Sequence, residues 1–205
     1  MQTSSDTYIV VDKGSRAEIK IKGSRFIAEA IPVSSVEEAD AALSEIKKRD
    51  YDATHHCSAY RIGSSGDTFR YNDDGEPNSS AGLPIYRQIE GRGITNALVV
   101  VVRYYGGTKL GTGGLVRAYG EAAGLALDAA KLLEVIPRTS VKVAFSYDDT
   151  SPAMHLINQF DVVVLETKYS DLTTMVLDIR TSEIDRFRAS FIDALGGRGE
   201  ELVDA

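Results

Sequence analysis

Residues 96–123 read NALVVVVRYYGGTKLGTGGLVRAYGEAA, and the fold turns on how this stretch divides. Ala97 to Val102 is an unbroken apolar run in which four of six residues are valine, and β-branching selects a buried strand over a buried helix. Arg103, Tyr104 and Tyr105 follow, then a loop carrying Gly106, Gly107, Lys109, Gly111, Gly113 and Gly114. From Leu115 the spacing becomes helical, with Tyr119, Ala122, Ala126, Ala129 and Leu133 on the same face. The unit is strand, glycine loop, helix. Free N–H groups and the positive end of a helix dipole meet at such a loop, and a phosphate or carboxylate fits there. Arg103, Lys109 and Arg117 add positive charge nearby. Glycines also permit tight turns and close packing of a helix on a sheet, and the residues alone leave both readings open. The loop is neither of the two common phosphate motifs. A Walker A loop needs Lys and Ser/Thr after its last glycine, and the dinucleotide fingerprint needs a third glycine where Val116 stands.

Composition narrows the class. The chain has 205 residues, 43% hydrophobic and 26% charged, as expected of one large or two small globular domains. No apolar run is long enough to span a membrane, and the start MQTSSDTYIV has neither a basic n-region nor an apolar h-region. With a single cysteine, Cys57, no internal disulfide is available, which fits a cytoplasmic protein. The net charge of −7 is uneven: residues 1–140 carry 17 basic and 18 acidic side chains, residues 141–205 carry 6 and 12. The acidic end is therefore unsuited to non-specific nucleic-acid binding, whereas the first part is free to carry a basic groove.

Along the chain, strands are expected at Tyr8–Asp12, Ala17–Ile21 and Arg25–Ile31, then a helix from about Val36 capped by Ser34 or Ser35. Thr54–Ile62 reads as a strand with His55, Cys57, Ala59 and Arg61 on one face and His56, Ser58 and Tyr60 on the other. His55-His56-Cys57 admits a zinc site or a nucleophilic thiol, but a buried thiol with hydrogen-bonded imidazoles is the simpler expectation, and no metal or cofactor is expected. Asp67–Tyr71 is a short strand, and Asn72–Ser80 is a loop whose Asp73, Asp74 and Glu76 either build turns or hold Mg²⁺ on a substrate phosphate. Ser79 or Ser80 is placed to cap the helix that carries Leu83, Ile85, Tyr86 and Ile89. Ile136–Ser140 reads as a linker between domains at 1–136 and 141–205. The second domain reads strand 141–147, helix 151–160, strands 162–169 and 173–180, helix 183–195 and strand 201–203. That order is the ferredoxin-like βαββαβ, with His155 alone on its helix and no catalytic constellation.

Four ordered segments resemble the Impact family: KGSRFIAEA (Lys22–Ala30), THHCSAYRIG (Thr54–Gly63), DDGEPNSSAGLPI (Asp73–Ile85) and VVVRYYGGTKLGTGGLVRAYGEAA (residues 100–123). Ser80 stands where the family pattern has Thr and keeps the hydroxyl. The resemblance implies an α+β chain whose N-terminal domain is similar to the second domain of ribosomal protein S5. It also implies a C-terminal ferredoxin-like domain similar to the last domain of elongation factor G. Lys22, Ser24 and Arg25 are implied to lie near the glycine loop. Because the chain begins with the shared domain, the extra N-terminal partner-binding domain of eukaryotic members is not expected, nor is their specific pathway role.

The functional expectation, which the resemblance implies, is a non-catalytic cytoplasmic protein linked to translation or its regulation. Its basic cleft would take RNA or another phosphate-bearing ligand through Arg103, Tyr104, Gly106, Gly107, Lys109, Gly111, Gly113, Gly114, Arg117 and Arg25. His55, His56, Asp73, Asp74 and Glu76 are expected to line the same cleft. The expected partners are RNA or the translation machinery, or a phosphate-bearing small ligand. The alternative is an enzyme acting on a phosphorylated small molecule there, with Asp74 or Glu76 in acid–base or Mg²⁺ roles.

Overall fold

A computed structural model describes residues 7–202 and divides the chain into two compact units, one spanning Tyr8–Val135 and the other beginning at Ile136. The centre of the first unit is a five-stranded antiparallel sheet of β2 (Ser15–Ile21), β3 (Ser24–Pro32), β4 (His55–Ile62), β5 (Thr68–Asn72) and β7 (Ala97–Tyr104), in the order β2-β3-β7-β4-β5. The valine run is the middle strand, and every residue from Ala97 to Arg103 is buried. Strand alternation then sorts two cores. Phe26, Ala28, Cys57, Val99 and Val101 pack under helices α2 (Gly82–Gly91) and α3 (Thr112–Ala129). Ile27, Leu98, Val100 and Val102 face α1 (Val36–Arg49), which Ser35 caps through the N–H of Glu38. A smaller sheet joins β1 (Tyr8–Lys13), β6 (Ile94–Thr95) and β8 (Lys131–Val135).

Three local expectations are corrected. Helix α3 stops at Ala129, and Leu133 belongs to β8, where it pairs with Val10 of β1. A short apolar run such as KLLEV satisfies either period, and pairing to β1 decides it. The N-cap of α2 is Ala81 rather than Ser79 or Ser80, and it makes no side-chain cap bond. The orphan N–H groups of Ala81 and Gly82 are instead taken by the Asp73 carboxylate from the preceding loop, at 2.9 and 2.8 Å. Residues 138–140 are not linker, because β9 (Arg138–Phe145) begins there.

The second unit runs β9, α4 (Thr150–Ile157), β10 (Val162–Tyr169), β11 (Thr173–Arg180), α5 (Ile184–Ala194) and β12 (Glu200–Leu202), with antiparallel sheet order β10-β11-β9-β12. This is the ferredoxin-like arrangement. Val203, expected in the last strand, lies outside the described residues. In β11, Thr173, Met175, Leu177 and Ile179 are buried while the residues between them are half-exposed. The apolar three of that set pack with Val141, Val143 and Phe145 against Leu156, Phe187 and Phe191.

Candidate functional site

The site begins where β7 leaves the sheet. In the β3–β7 register Phe26 pairs with Arg103, and Arg25 pairs with Tyr104. Arg103 therefore points to the α2/α3 face, with its guanidinium 5.3 Å from the Phe26 ring centre and 5.5 Å from that of Tyr105. After Tyr105 the chain crosses the β2–β3 turn so closely that a Cβ on Gly106 would lie 1.8 Å from the carbonyl carbon of Gly23. Ser24 secures the crossing: its buried Oγ accepts the N–H of Gly106 at 3.1 Å and a longer bond from Arg103 Nη2 at 3.4 Å. The loop enters α3 through Gly111, whose φ of 71° is open to glycine and strained for other residues.

Under the loop is a buried polar chain. Arg103 Nη1 donates to Glu76 Oε1 at 2.5 Å, and the Tyr119 hydroxyl donates to the same oxygen at 2.7 Å. Arginine and glutamate side chains are 6% and 4% exposed, so the pair is desolvated and each partner depends on the other. His55 Nε2 is 3.9 Å from Glu76 Oε1, too long for a hydrogen bond, while its Nδ1 lies 2.8 Å from the carbonyl oxygen of Asp74. Cys57 donates to the Asp73 carbonyl at 3.0 Å. Burial pushes its thiol well above the ordinary range, and the carboxylates of Glu76, Asp74 and Asp73 push the same way, so it is a packed thiol and not a nucleophile. Burial also raises Tyr119, helped by its contacts with Cys57 and Glu76. Tyr119 is fully buried and meets Phe26 edge-to-face at 5.2 Å.

This chain opens into a pocket of about 260 Å³ whose walls include Glu76, Arg103, Tyr105, Lys109, Gly111 and Thr112. Pro77, Leu110 and Leu115 complete the lining. In the first turn of α3 the Leu115 N–H donates to the Gly111 carbonyl at 2.9 Å, and no side chain caps the helix. Its leading N–H groups therefore face the pocket mouth with the positive end of the dipole. Arg103 Nε is buried and has no hydrogen-bond partner. With exposed Lys109 on the rim, the pocket offers donors and positive potential against one carboxylate, Glu76. An anion with hydrogen-bond acceptors fits it.

The structure sorts the expected site residues. Arg103, Lys109, Gly111 and Glu76 line the pocket, and Gly113 and Gly114 form the first turn of α3 beside it. Gly106 makes the crossing and Gly107 follows it with φ 84°, but neither lines the pocket, and Arg117 is exposed farther along α3. Arg25 and Tyr104 are on the opposite face: the guanidinium lies 4.5 Å over the Tyr104 ring, and the Tyr104 hydroxyl donates to Asp50 at 3.1 Å. His56 shares that far face, with Nε2 3.0 Å from the carbonyl oxygen of Asp50. Asp73 and Asp74 are turn builders. Asp73 accepts the N–H groups of Ser79, Ala81 and Gly82, while Asp74 accepts from His56 N–H at 2.7 Å and from Lys47 at 3.1 Å. Their oxygens are engaged, and among the described residues no group of three acids, histidines or cysteines is spaced to hold a metal. Lys22 is exposed in the β2–β3 turn with φ 47°. Sequence reasoning passed over Thr54, whose Oγ1 accepts the N–H of Tyr105 at 3.1 Å, and Pro77 and Leu110 in the pocket wall. Adjacency of Pro77 to Glu76 was the available signal.

With this geometry in hand, comparisons with known proteins agree over both units. The Impact N-terminal domain family matches residues 22–127, and a domain of unknown function (DUF1949) matches residues 143–198. The chain is 31% identical to "IMPACT family member YvyE" of Bacillus subtilis over 95% of this chain and 89% of the relative. It is 34% identical to "IMPACT family member YigZ" of Escherichia coli over 85% and 86%. "Protein IMPACT homolog" of Saccharomyces cerevisiae is 36% identical over 44% of this chain and 36% of the relative. A solved structure described as "Crystal structure of an hypothetical protein" superposes with a TM-score of 0.66 at 30% identity, over 97% of this chain and 98% of that one.

Proposed function

The chain belongs to the Impact family, and from that premise we propose that it is a non-catalytic cytoplasmic protein linked to translation or its regulation, binding RNA or another phosphate-bearing ligand at the N-terminus of α3. The observation that carries the reading is the pocket itself. An uncapped 18-residue helix opens onto a cavity whose wall holds a buried arginine with an unpartnered Nε and whose rim holds a lysine. The raised thiol of Cys57 and the engaged oxygens of Asp73 and Asp74 weigh against a catalytic role for those groups. The ferredoxin-like unit, rich in acidic residues, supports a docking role better than contact with phosphates.

The test is filter binding of short single-stranded RNA at low and moderate salt, with Lys109→Glu as the pocket variant and Arg117→Ala as the control outside the pocket. Arg103 is unsuitable because its loss strands Glu76. Salt-sensitive binding weakened by Lys109→Glu and little changed by Arg117→Ala is expected. Absence of binding at low salt overturns the RNA reading and turns attention to nucleotides and phosphorylated metabolites in the same pocket.

A further inference from the structure

The face of the large sheet away from the α3 pocket carries a second cavity, between α1 and the β4–β5 edge. The register pairs Tyr60 with Arg70 and Ser58 with Asn72 on β5, and the same two β4 residues with Leu98 and Val100 on β7. Leu98 and Val100 face α1, so all four polar residues leave the sheet on that side. Tyr71, between Arg70 and Asn72, sends its ring the other way, against Tyr86 of α2. Helix α1 presents Ala39, Asp40 and Leu43 to the same space, and a pocket of about 200 Å³ is left between them.

The polar groups of this pocket are unspent. Ser58 is 6% exposed, yet among the described residues its hydroxyl has no hydrogen-bond partner, and neither has that of Tyr60. Asn72 uses Oδ1 to accept the Asp74 N–H at 2.8 Å, which leaves its NH₂ group as a donor. Arg70 and Asp40 are exposed on the two sides of the pocket, and they pair neither with each other nor with another described residue. The neighbouring charges are already engaged: Lys47 with Asp74 at 3.1 Å, and Lys48 with Glu45 at 2.8 Å. The pocket therefore offers a free guanidinium with donors beside it on β5, a free carboxylate on α1, and an aliphatic wall of Ala39, Leu43 and Leu98.

This charge pattern selects its ligand. Asp40 opposes a phosphate, and Arg70 opposes a simple cation. A zwitterion satisfies both. The volume is that of about seven waters at ~30 Å³ each, and lies below the roughly 300–1,000 Å³ of sites for drug-sized molecules, so a nucleotide is too large. We propose that the pocket binds a free α-amino acid with an aliphatic side chain. Its carboxylate meets Arg70, the Asn72 amide and the Ser58 hydroxyl, its ammonium group meets Asp40, and its side chain lies on Leu43 and Leu98. Because the two pockets lie on opposite faces of the sheet, this proposal stands apart from the reading of the α3 pocket.

The test screens the standard free amino acids at millimolar concentration against the full chain by ligand-observed NMR. Calorimetry then measures the affinities of those that bind. Each is compared with its amine-free acid and its acid-free amine, which for leucine are 4-methylpentanoate and 3-methylbutylamine. The variants are Asp40→Asn and Arg70→Gln, both at exposed positions, and melting checks that they fold as wild type does. Binding of leucine, isoleucine, valine or methionine is expected. Its affinity should fall by about tenfold or more in either variant, and by as much for either analogue with a single charge, since each loses a charge-assisted hydrogen bond. Failure of every amino acid to bind wild type overturns the proposal. So does binding that both variants leave unchanged, which places the ligand elsewhere on the chain. An amine-free acid that binds as tightly as its amino acid overturns the role of Asp40 and with it the zwitterion. Binding of glucose, tested in parallel, at an affinity equal to the best amino acid reassigns the pocket to neutral hydroxyl compounds and overturns it as well.

Discussion

Glu76→Ala is the perturbation that tests the physical account of the site most directly. It removes the acceptor of both Arg103 Nη1 and the Tyr119 hydroxyl, and leaves a guanidinium that is 6% exposed with only the 3.4 Å bond to Ser24. Removing one partner of a buried ion pair costs about 3–5 kcal/mol, because the remaining charge keeps its desolvation penalty. The orphaned hydroxyl pushes toward the upper end of that range, since an unsatisfied buried donor costs about 1–3 kcal/mol. Against a typical domain stability of about 5–15 kcal/mol this is a large fraction, and it lowers the melting temperature of a unit this size by about 10–20 °C. Replacing both residues, Glu76→Met with Arg103→Met, removes the two charges together and should recover most of the loss. Urea and thermal unfolding of Glu76→Met, Arg103→Met and the double variant complete the cycle. A loss below about 1 kcal/mol for Glu76→Ala, or a double variant as unstable as the two single losses added, refutes the claim that the two charges depend on each other.

Three further outcomes follow from the same geometry. Gly106→Ala must push a methyl group into the Gly23 carbonyl, so it should destabilise the first unit by about 1–3 kcal/mol and weaken ligand binding at the pocket, both measurable by melting and filter binding. Cys57, buried and raised in pKa, should resist iodoacetamide at pH 8 in the folded chain and react fully once denatured; rapid native labelling contradicts the assignment. Burial works against the charged form of Asp74, but the bonds from His56 N–H and Lys47 outweigh it and hold its pKa below the usual carboxylate value. The stabilisation is therefore present above the unfolded value near 4 and is lost as pH falls through the lower folded value, so Asp74→Asn should flatten the loss of stability in acid titrations below about pH 4.

Much of the architecture was legible because it rests on local periods. The valine run, the alternation that separates His55 and Cys57 from His56, and the strand and helix order of the second unit are all read within a few residues. The end of α3 was not, since KLLEV becomes a strand only through its pairing with β1, 119 residues away at Asp12 and Lys131. Charge grouping failed for a similar reason. Arg25 and Arg103 are both basic and both lie close in sequence to a glycine, Gly23 and Gly106, yet the β3–β7 register pairs Arg25 with Tyr104 and sends it to the other face. Among Asp73, Asp74 and Glu76, adjacent and alike in charge, only Glu76 lines the pocket. Asp73 turns back to the N–H groups at the head of α2, and Asp74 is held by His56 and Lys47. Apart from β8 and the start of β9, the sequence by itself determined which segments become strands and helices and which faces are apolar, because those depend on backbone sterics and on burial at fixed periods. Tertiary structure alone decided which charges meet and which are consumed in turns, because a register joins residues far apart in the chain and a one-residue shift in it sends a side chain to the opposite face.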